Sequence, residues 1–164
     1  RVNMVTPALF KKYTSPRAFA EAPPGELEEA IHSTGFFNNK AKAIREMARE
    51  VDARFGGRVP VAMEELLTLR GVARKTANVV RANAYGLPAI TVDTHFTRIS
   101  QRLGLTKEDD PEKIEFDVAS LLPPERYSHF SHAVILHGRK TCKARKPACA
   151  ECALAPLCPS KDKA

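Results

Sequence analysis

Every cysteine in the chain lies in its last quarter, at Cys142, Cys149, Cys152 and Cys158, in the pattern C-x6-C-x2-C-x5-C. Four thiols so close in sequence can form disulfides or hold a soft metal centre. Disulfides fit poorly with a chain that opens on no basic-then-apolar leader, which leaves metal ligation. Zinc usually takes two short Cys-x-x-Cys knuckles, and only Cys149 and Cys152 are so spaced. A four-iron cubane takes one thiolate at each of its corners and accepts ligands from a wider arc. Spacing therefore favours an iron–sulfur cluster and leaves zinc open, since both accept four thiolates. Lys143, Arg145 and Lys146 stand between the first two ligands. They either offset the charge of a cluster or turn a metal-pinned loop into a rigid phosphate clamp.

The second reactive residue type is the lysine in "LRGVARKTANVV", Leu69 to Val80. At 100° per residue Val72, Thr76, Val79, Val80 and Asn83 gather on one side of a helix, and Lys75 falls at the border of that stripe. Arg74, Asn78 and Arg81 are expected on the solvent side. A lysine at such a border ordinarily lays its methylenes on the core and lifts its ammonium into water. Asp93, ahead of Thr94-His95, reads as the carboxylate that caps a helix N-terminus.

The elements that must carry these residues read as helices, so the fold class is all-α. Ala41, Ile44, Ala48, Val51 and Phe55 recur at three- and four-residue steps from Asn39 to Phe55, and Gly56-Gly57 stops that helix. Further helices are expected over Gly25 to Thr34, Met63 to Leu69, Arg74 to Tyr85, Thr94 to Leu103, Pro111 to Leu121 and Tyr127 to Lys140. One more is expected over Asn3 to Tyr13 despite Pro7. Ala89 to Val92 is the one strand candidate and is too short and solitary to build a sheet. The chain has 164 residues, enough for one core or two small ones. Its 26 basic and 19 acidic residues leave 26 − 19 = +7, which suggests a polyanionic partner. No apolar run approaches the ~20 residues of a membrane span. A soluble intracellular protein is expected, cytoplasmic and nucleoid-associated if bacterial.

The runs "ELLTLRGVARKTANVV", "ITVDTHFTRISQRLGL" and "HAVILHGRKTCKARKPACAECALAPLC", with the weaker "IHSTGFFNNKAKAI", resemble the endonuclease III family of DNA glycosylases over essentially the whole chain. The resemblance rests on the cysteine spacing, which fits the family's [4Fe–4S] loop at all four positions, and on the interval between Lys75 and Asp93. It implies a helix-hairpin-helix over Leu66 to Ala82, with Gly71 in the hairpin and a phosphate approached by the backbone there. It implies a helical barrel domain over residues 1–87 and a cluster domain over 88–164, enclosing a cleft. Lys75 would be the nucleophile and Asp93 the catalytic carboxylate. The implied activity is base excision repair by a bifunctional glycosylase, which removes oxidised pyrimidines and cleaves abasic sites by β-elimination. The expected partner is duplex DNA carrying damaged pyrimidines or abasic sites, bound by a monomer without any membrane. Arg70, Gly71, Ala73, Lys143, Arg145 and Lys146 are the candidate DNA contacts. Desolvation and nearby Arg74 are expected to favour the neutral amine of Lys75. The alternatives are a non-catalytic helix-hairpin-helix binding module and a shortened member with lyase activity alone.

Departures from the family pattern are visible. The family usually has proline where Arg70 stands and glycine where Ala73 stands, so this hairpin is stiffened differently. The family also has a segment upstream of "RVNMVT" that packs with the cluster domain and fills the gap left by a flipped base. A chain without it is expected to excise bases poorly. His132 and His137 lie near the cysteines, but four thiolates complete a cubane, so they read as packing or hydrogen-bonding residues. His95 reads as support for its turn, and His32 and His129 carry no signal. Phe36 and Phe37, at a glycine turn before a helix, read as core.

Overall fold

The computed structural model describes residues 1–160. The helices are α1 (Val2–Lys12), α2 (Pro16–Ala20), α3 (Glu26–Ala30), α4 (Phe37–Phe55), α5 (Met63–Thr68), α6 (Arg74–Tyr85), α7 (Thr94–Arg102), α8 (Pro111–Ala119) and α9 (Tyr127–Lys140). Short 3-10 turns join them, and no strand occurs among the described residues. The expected fold class stands, and α6 and α9 have the bounds expected from sequence. The stretch expected as one helix from Gly25 to Thr34 is broken into α3 and a 3-10 turn, and α2 was not expected at all. At five residues α2 is too short for periodicity to reveal, although Ser15 caps it by accepting from Ala18 N and Pro16 opens it.

The chain forms two compact units, Arg1–Ala73 and Arg74–Ala164. The first has a core of Leu9, Tyr13, Ala22, Leu27, Ile31 and Ala41, with Phe19, Phe37 and Ile44 packed against it. Phe37 thus lies against the core, whereas Phe36 is 86% exposed, contrary to the core role expected of it. Phe36 is the N-cap of α4 at φ 49, a left-handed backbone that turns its ring away from the stripe starting at Phe37. The second unit is built on Ile90, Val92, Phe96, Ile99, Ile114, Val118, Val134 and Ile135. Helix α6 groups with this unit, so the division falls earlier in the chain than the expected one between 87 and 88. Its side chains explain why: Arg74 and Asn78 are bonded to α8 and to the backbone of Ile90.

Among the described residues no helix is long and apolar enough to cross a membrane.

Candidate active site

Helix α6 does not bury the stripe that its apolar residues trace. Its buried residues are Ala77 and Asn78, while Thr76 is exposed and Val79 and Val80 are half-buried. Asn78 Nδ2 donates to Ile90 O at 2.9 Å and to Glu115 Oε2 at 2.8 Å. Arg74 takes the same carboxylate with Nε at 2.8 Å and Nη2 at 3.2 Å, and its Nη1 reaches Glu112 at 2.8 Å. The guanidinium carbon also lies 5.2 Å from the Phe116 ring centroid. Two residues expected in solvent, Arg74 and Asn78, are therefore the polar face that fastens α6. Their partners lie far away in sequence, where a periodicity count cannot see them. The bond to Glu115 is the largest of the influences that raise the Arg74 pKa. Arg74, expected to favour the neutral amine of Lys75, is thus committed to Glu112 and Glu115. Lys75 itself, in the first turn of α6, is exposed, so the chain's own packing does not desolvate it.

Ala89, Ile90, Thr91 and Val92 run extended and buried up to Asp93 without pairing into a sheet. Their polar groups are met by side chains from helices distant in sequence, Ile90 O by Asn78 and Thr91 by Ser131. Thr91 N donates to Ser131 Oγ at 2.9 Å, and Ser131 Oγ donates to Thr91 O at 3.0 Å. The segment thereby delivers Asp93 to the start of α7. Asp93 Oδ1 accepts from His95 N at 2.9 Å and Phe96 N at 2.8 Å, the cap expected from sequence. Oδ2 takes no part in the cap and has Arg139 Nη2 at 3.9 Å. Lys75 and Asp93 line one cavity of about 530 Å³, together with Thr97, Gln101 and Asp109. This is within the range of small-molecule sites. Sequence reasoning missed Gln101 and Asp109. The only signal for Gln101 was the polar face of α7, two turns beyond Asp93, and Asp109, in the loop before α8, gave none.

All four cysteines line a second cavity, with none in a disulfide. The loop that carries them is held from α7. Arg102 Nη1 donates to Lys143 O at 2.9 Å and approaches Cys142 Sγ at 3.2 Å, and its Nη2 donates to Ala144 O at 3.2 Å. Arg98 Nη2 donates to Gly138 O and Cys142 O, both at 2.9 Å, and lies 3.3 Å from His95 Nδ1. Helices α7 and α9 meet closely at Gly138, where a Cβ would stand 3.1 Å from His95 Cβ and 3.2 Å from Ile99 Cγ1. His137 Nε2 is 3.7 Å from Cys152 Sγ, beside the thiols as a hydrogen-bonding neighbour. Among the described residues no three His, Cys, Asp or Glu side chains converge as one metal ion requires. Four thiols around one cavity are a donor set that a four-iron cluster and a tetrahedral zinc both accept. Lys143, Arg145 and Lys146 are exposed on this loop, and Lys146 holds a left-handed φ of 51.

The remaining candidate DNA contacts lie in the first unit. Gly71 has φ 78, which a glycine adopts without strain. Arg70 is exposed and pairs with Glu46 Oε2 at 3.3 Å, and Ala73 is exposed.

Residues 1–124 match the HhH-GPD superfamily base excision DNA repair protein family. Endonuclease III of Synechocystis sp. is 58% identical over 161 residues, covering 98% of this chain and 74% of that protein. The chain belongs to the endonuclease III family. A solved non-covalent endonuclease III–DNA complex is 42% identical with a TM-score of 0.93, covering 99% of this chain and 76% of that one. A trapped endonuclease III–DNA covalent intermediate matches with the same identity, TM-score and coverage. The endonuclease III relatives extend over the cysteine loop, whereas the superfamily match ends ahead of α9. The match with endonuclease III thus runs over the segment that carries the four thiols.

Proposed function

We propose that this member of the endonuclease III family is a DNA glycosylase with abasic-site lyase activity, acting on oxidised pyrimidines in duplex DNA. The observation that carries the reading is the shared cavity: Lys75, the only lysine lining it among the described residues, stands with Asp93, whose cap leaves one carboxylate oxygen for chemistry. The glycosidic bond of a stacked nucleotide is out of reach, so the damaged nucleotide is rotated out of the duplex first. The electron pair of Lys75 Nζ forms a bond to C1′ as the bond from C1′ to the base breaks, and the base leaves with that bonding pair and gains a proton. Asp93 Oδ2 stabilises positive charge on the sugar and takes the proton lost from the attacking amine. Opening of the sugar ring gives a Schiff base at C1′, which acidifies the C2′ proton. When that proton departs, its electron pair forms the C2′–C3′ double bond and expels the 3′ phosphate. Water then releases the lysine.

Gly71, with Arg70 and Ala73 beside it, and the exposed Lys143, Arg145 and Lys146 suit phosphate rather than base edges, so they supply affinity without sequence preference. Cys142, Cys149, Cys152 and Cys158 would hold a [4Fe–4S] cluster. When bound, such a group cross-links the loop, and with all four corners ligated by thiolate it offers no open position to substrate.

Borohydride reduction in the presence of an abasic-site duplex tests the reading. The protein should form a covalent complex with DNA and Lys75→Ala should form none, while keeping its fold because one exposed side chain is lost. Trapping by Lys75→Ala at the parental rate would leave that lysine as a mere surface residue. Trapping without release of any oxidised base would reduce the function to lyase.

A further inference from the structure

Gln101 and Asp109 line the cavity of Lys75 and Asp93 yet have no task in the chemistry above. Gln101 lies near the end of α7 and Asp109 in the loop before α8. The Gln101 amide nitrogen donates to Glu108 O at 2.9 Å and to Asp109 Oδ1 at 2.8 Å. Both neighbours are acceptors only, so the carboxamide has one tolerable orientation. Turned over, its oxygen would face a carbonyl and a carboxylate. Both amide hydrogens are thus committed, and Oε1 remains as an acceptor. Asp109 adds Oδ2, a second acceptor. The pair is held by its own hydrogen bonds before any ligand arrives, and it has no donor to give. Thr97 also lines the cavity, but a hydroxyl donates or accepts equally and does not discriminate.

We propose that Gln101 and Asp109 are specificity-determining residues: an acceptor pair that reads the extruded base and favours pyrimidines bearing an exocyclic amine, that is, cytosine-derived lesions. The inference rests on the glycosylase reading of the same cavity. An exocyclic amine offers two hydrogens, one for Gln101 Oε1 and one for Asp109 Oδ2. A uracil- or thymine-derived base offers a single N3–H between two carbonyl oxygens and sets those oxygens against the same acceptors. Asp109 is exposed, so water can meet an unused oxygen, and the discrimination is on the scale of a single base contact.

The test is single-turnover base release by the full cluster-loaded chain. Two otherwise identical duplexes carry 5-hydroxycytosine or 5-hydroxyuracil, each opposite guanine. The cytosine-derived base should leave about tenfold faster or more, the scale set by one well-made base contact. Asp109→Asn places a donor in the pair, and Gln101→Met removes one acceptor and the tether on the other; each should bring the ratio close to one. Because a ratio does not depend on the active fraction, a variant that folds poorly still reports. Equal or reversed release by the unsubstituted protein overturns the proposal, as does a preference that survives both substitutions. Trapping on an abasic duplex separates the two readings. Protein that traps and releases both bases equally loses only the acceptor pair. Protein that traps but releases neither loses the glycosylase half and the pair with it, and protein that does none of these loses the functional reading entirely.

Discussion

Asn78→Leu probes how the site is held together. The Asn78 side chain is 2% exposed and spends its amide on Ile90 O and Glu115. Leucine has a similar volume, so the substitution removes the donor without opening a large void. A buried carbonyl left without its donor costs roughly 1–3 kcal/mol. Losing the second bond costs about 1 kcal/mol, because Arg74 still holds the Glu115 carboxylate through two nitrogens. The apolar surface gained by leucine offsets part of this, leaving a net loss of roughly 2–3 kcal/mol. In a chain of this size that lowers Tm by roughly 4–12 °C. Calorimetry of the cluster-loaded protein is the right assay, since two compact units can unfold separately and a single-probe melt would merge them. Lys75 lies one turn before Asn78 and Asp93 directly follows the segment that Asn78 fastens, so the trapping rate should fall as well. A transition within about 1 °C of the parent would refute the claim that this amide ties α6 to the backbone leading to Asp93.

Asp93→Asn keeps an oxygen for the cap and should change stability by less than about 1 kcal/mol while base release falls steeply. Lyase activity on an abasic duplex, where the base is already gone, should suffer less, which kinetics on both substrates will show. Cys149→Ser should lower the iron and sulfide content and the visible absorbance and loosen the C-terminal loop; a colourless, zinc-loaded, fully active parent protein would contradict the cluster assignment. The Tyr13 phenol is pushed up to about 12, first by burial and then by its bond to Glu26. Its folded value lies above the unfolded one near ~10. The stability it contributes is therefore full below pH ~10 and lost as pH rises towards 12. Ultraviolet titration should show a late tyrosinate phase that disappears in Tyr13→Phe.

The helices were legible because their boundaries are written locally: Asp93 and Asp110 cap α7 and α8, Pro111 opens α8, and Gly56 closes α4. Lys75, Asp93 and the cysteines were singled out because the family resemblance picks them from residues that otherwise read as surface, cap and thiols, and the structure brings the first two to one cavity and the four cysteines to another. What stayed hidden was pairing at a distance. The buried face of α6 carries an asparagine and an arginine because Glu115 and Ile90 O receive them, and no local pattern announces a partner 37 residues away. Phe36 was misread because its apolar type points to the core, whereas its left-handed backbone sets its direction. Gln101 and Asp109 were missed for the same reason as Asn78: their meaning lies in what they face.

Gly138 has a consequence for how this protein can be taken apart. The missing side chain that lets α9 lie against His95 and Ile99 sits four residues before Cys142, on the helix that leads into the cysteine loop. The portion beyond the superfamily match at residue 124 is therefore no detachable appendage, since it forms the seat of the helix that Asp93 caps. In a chimera, a loop borrowed from a relative at Cys142 keeps that seat. An alanine at 138 would instead press by a few tenths of an ångström on His95, Arg98 and Ile99, all on the helix that Asp93 caps, although every cysteine and every reactive residue were still in the chain.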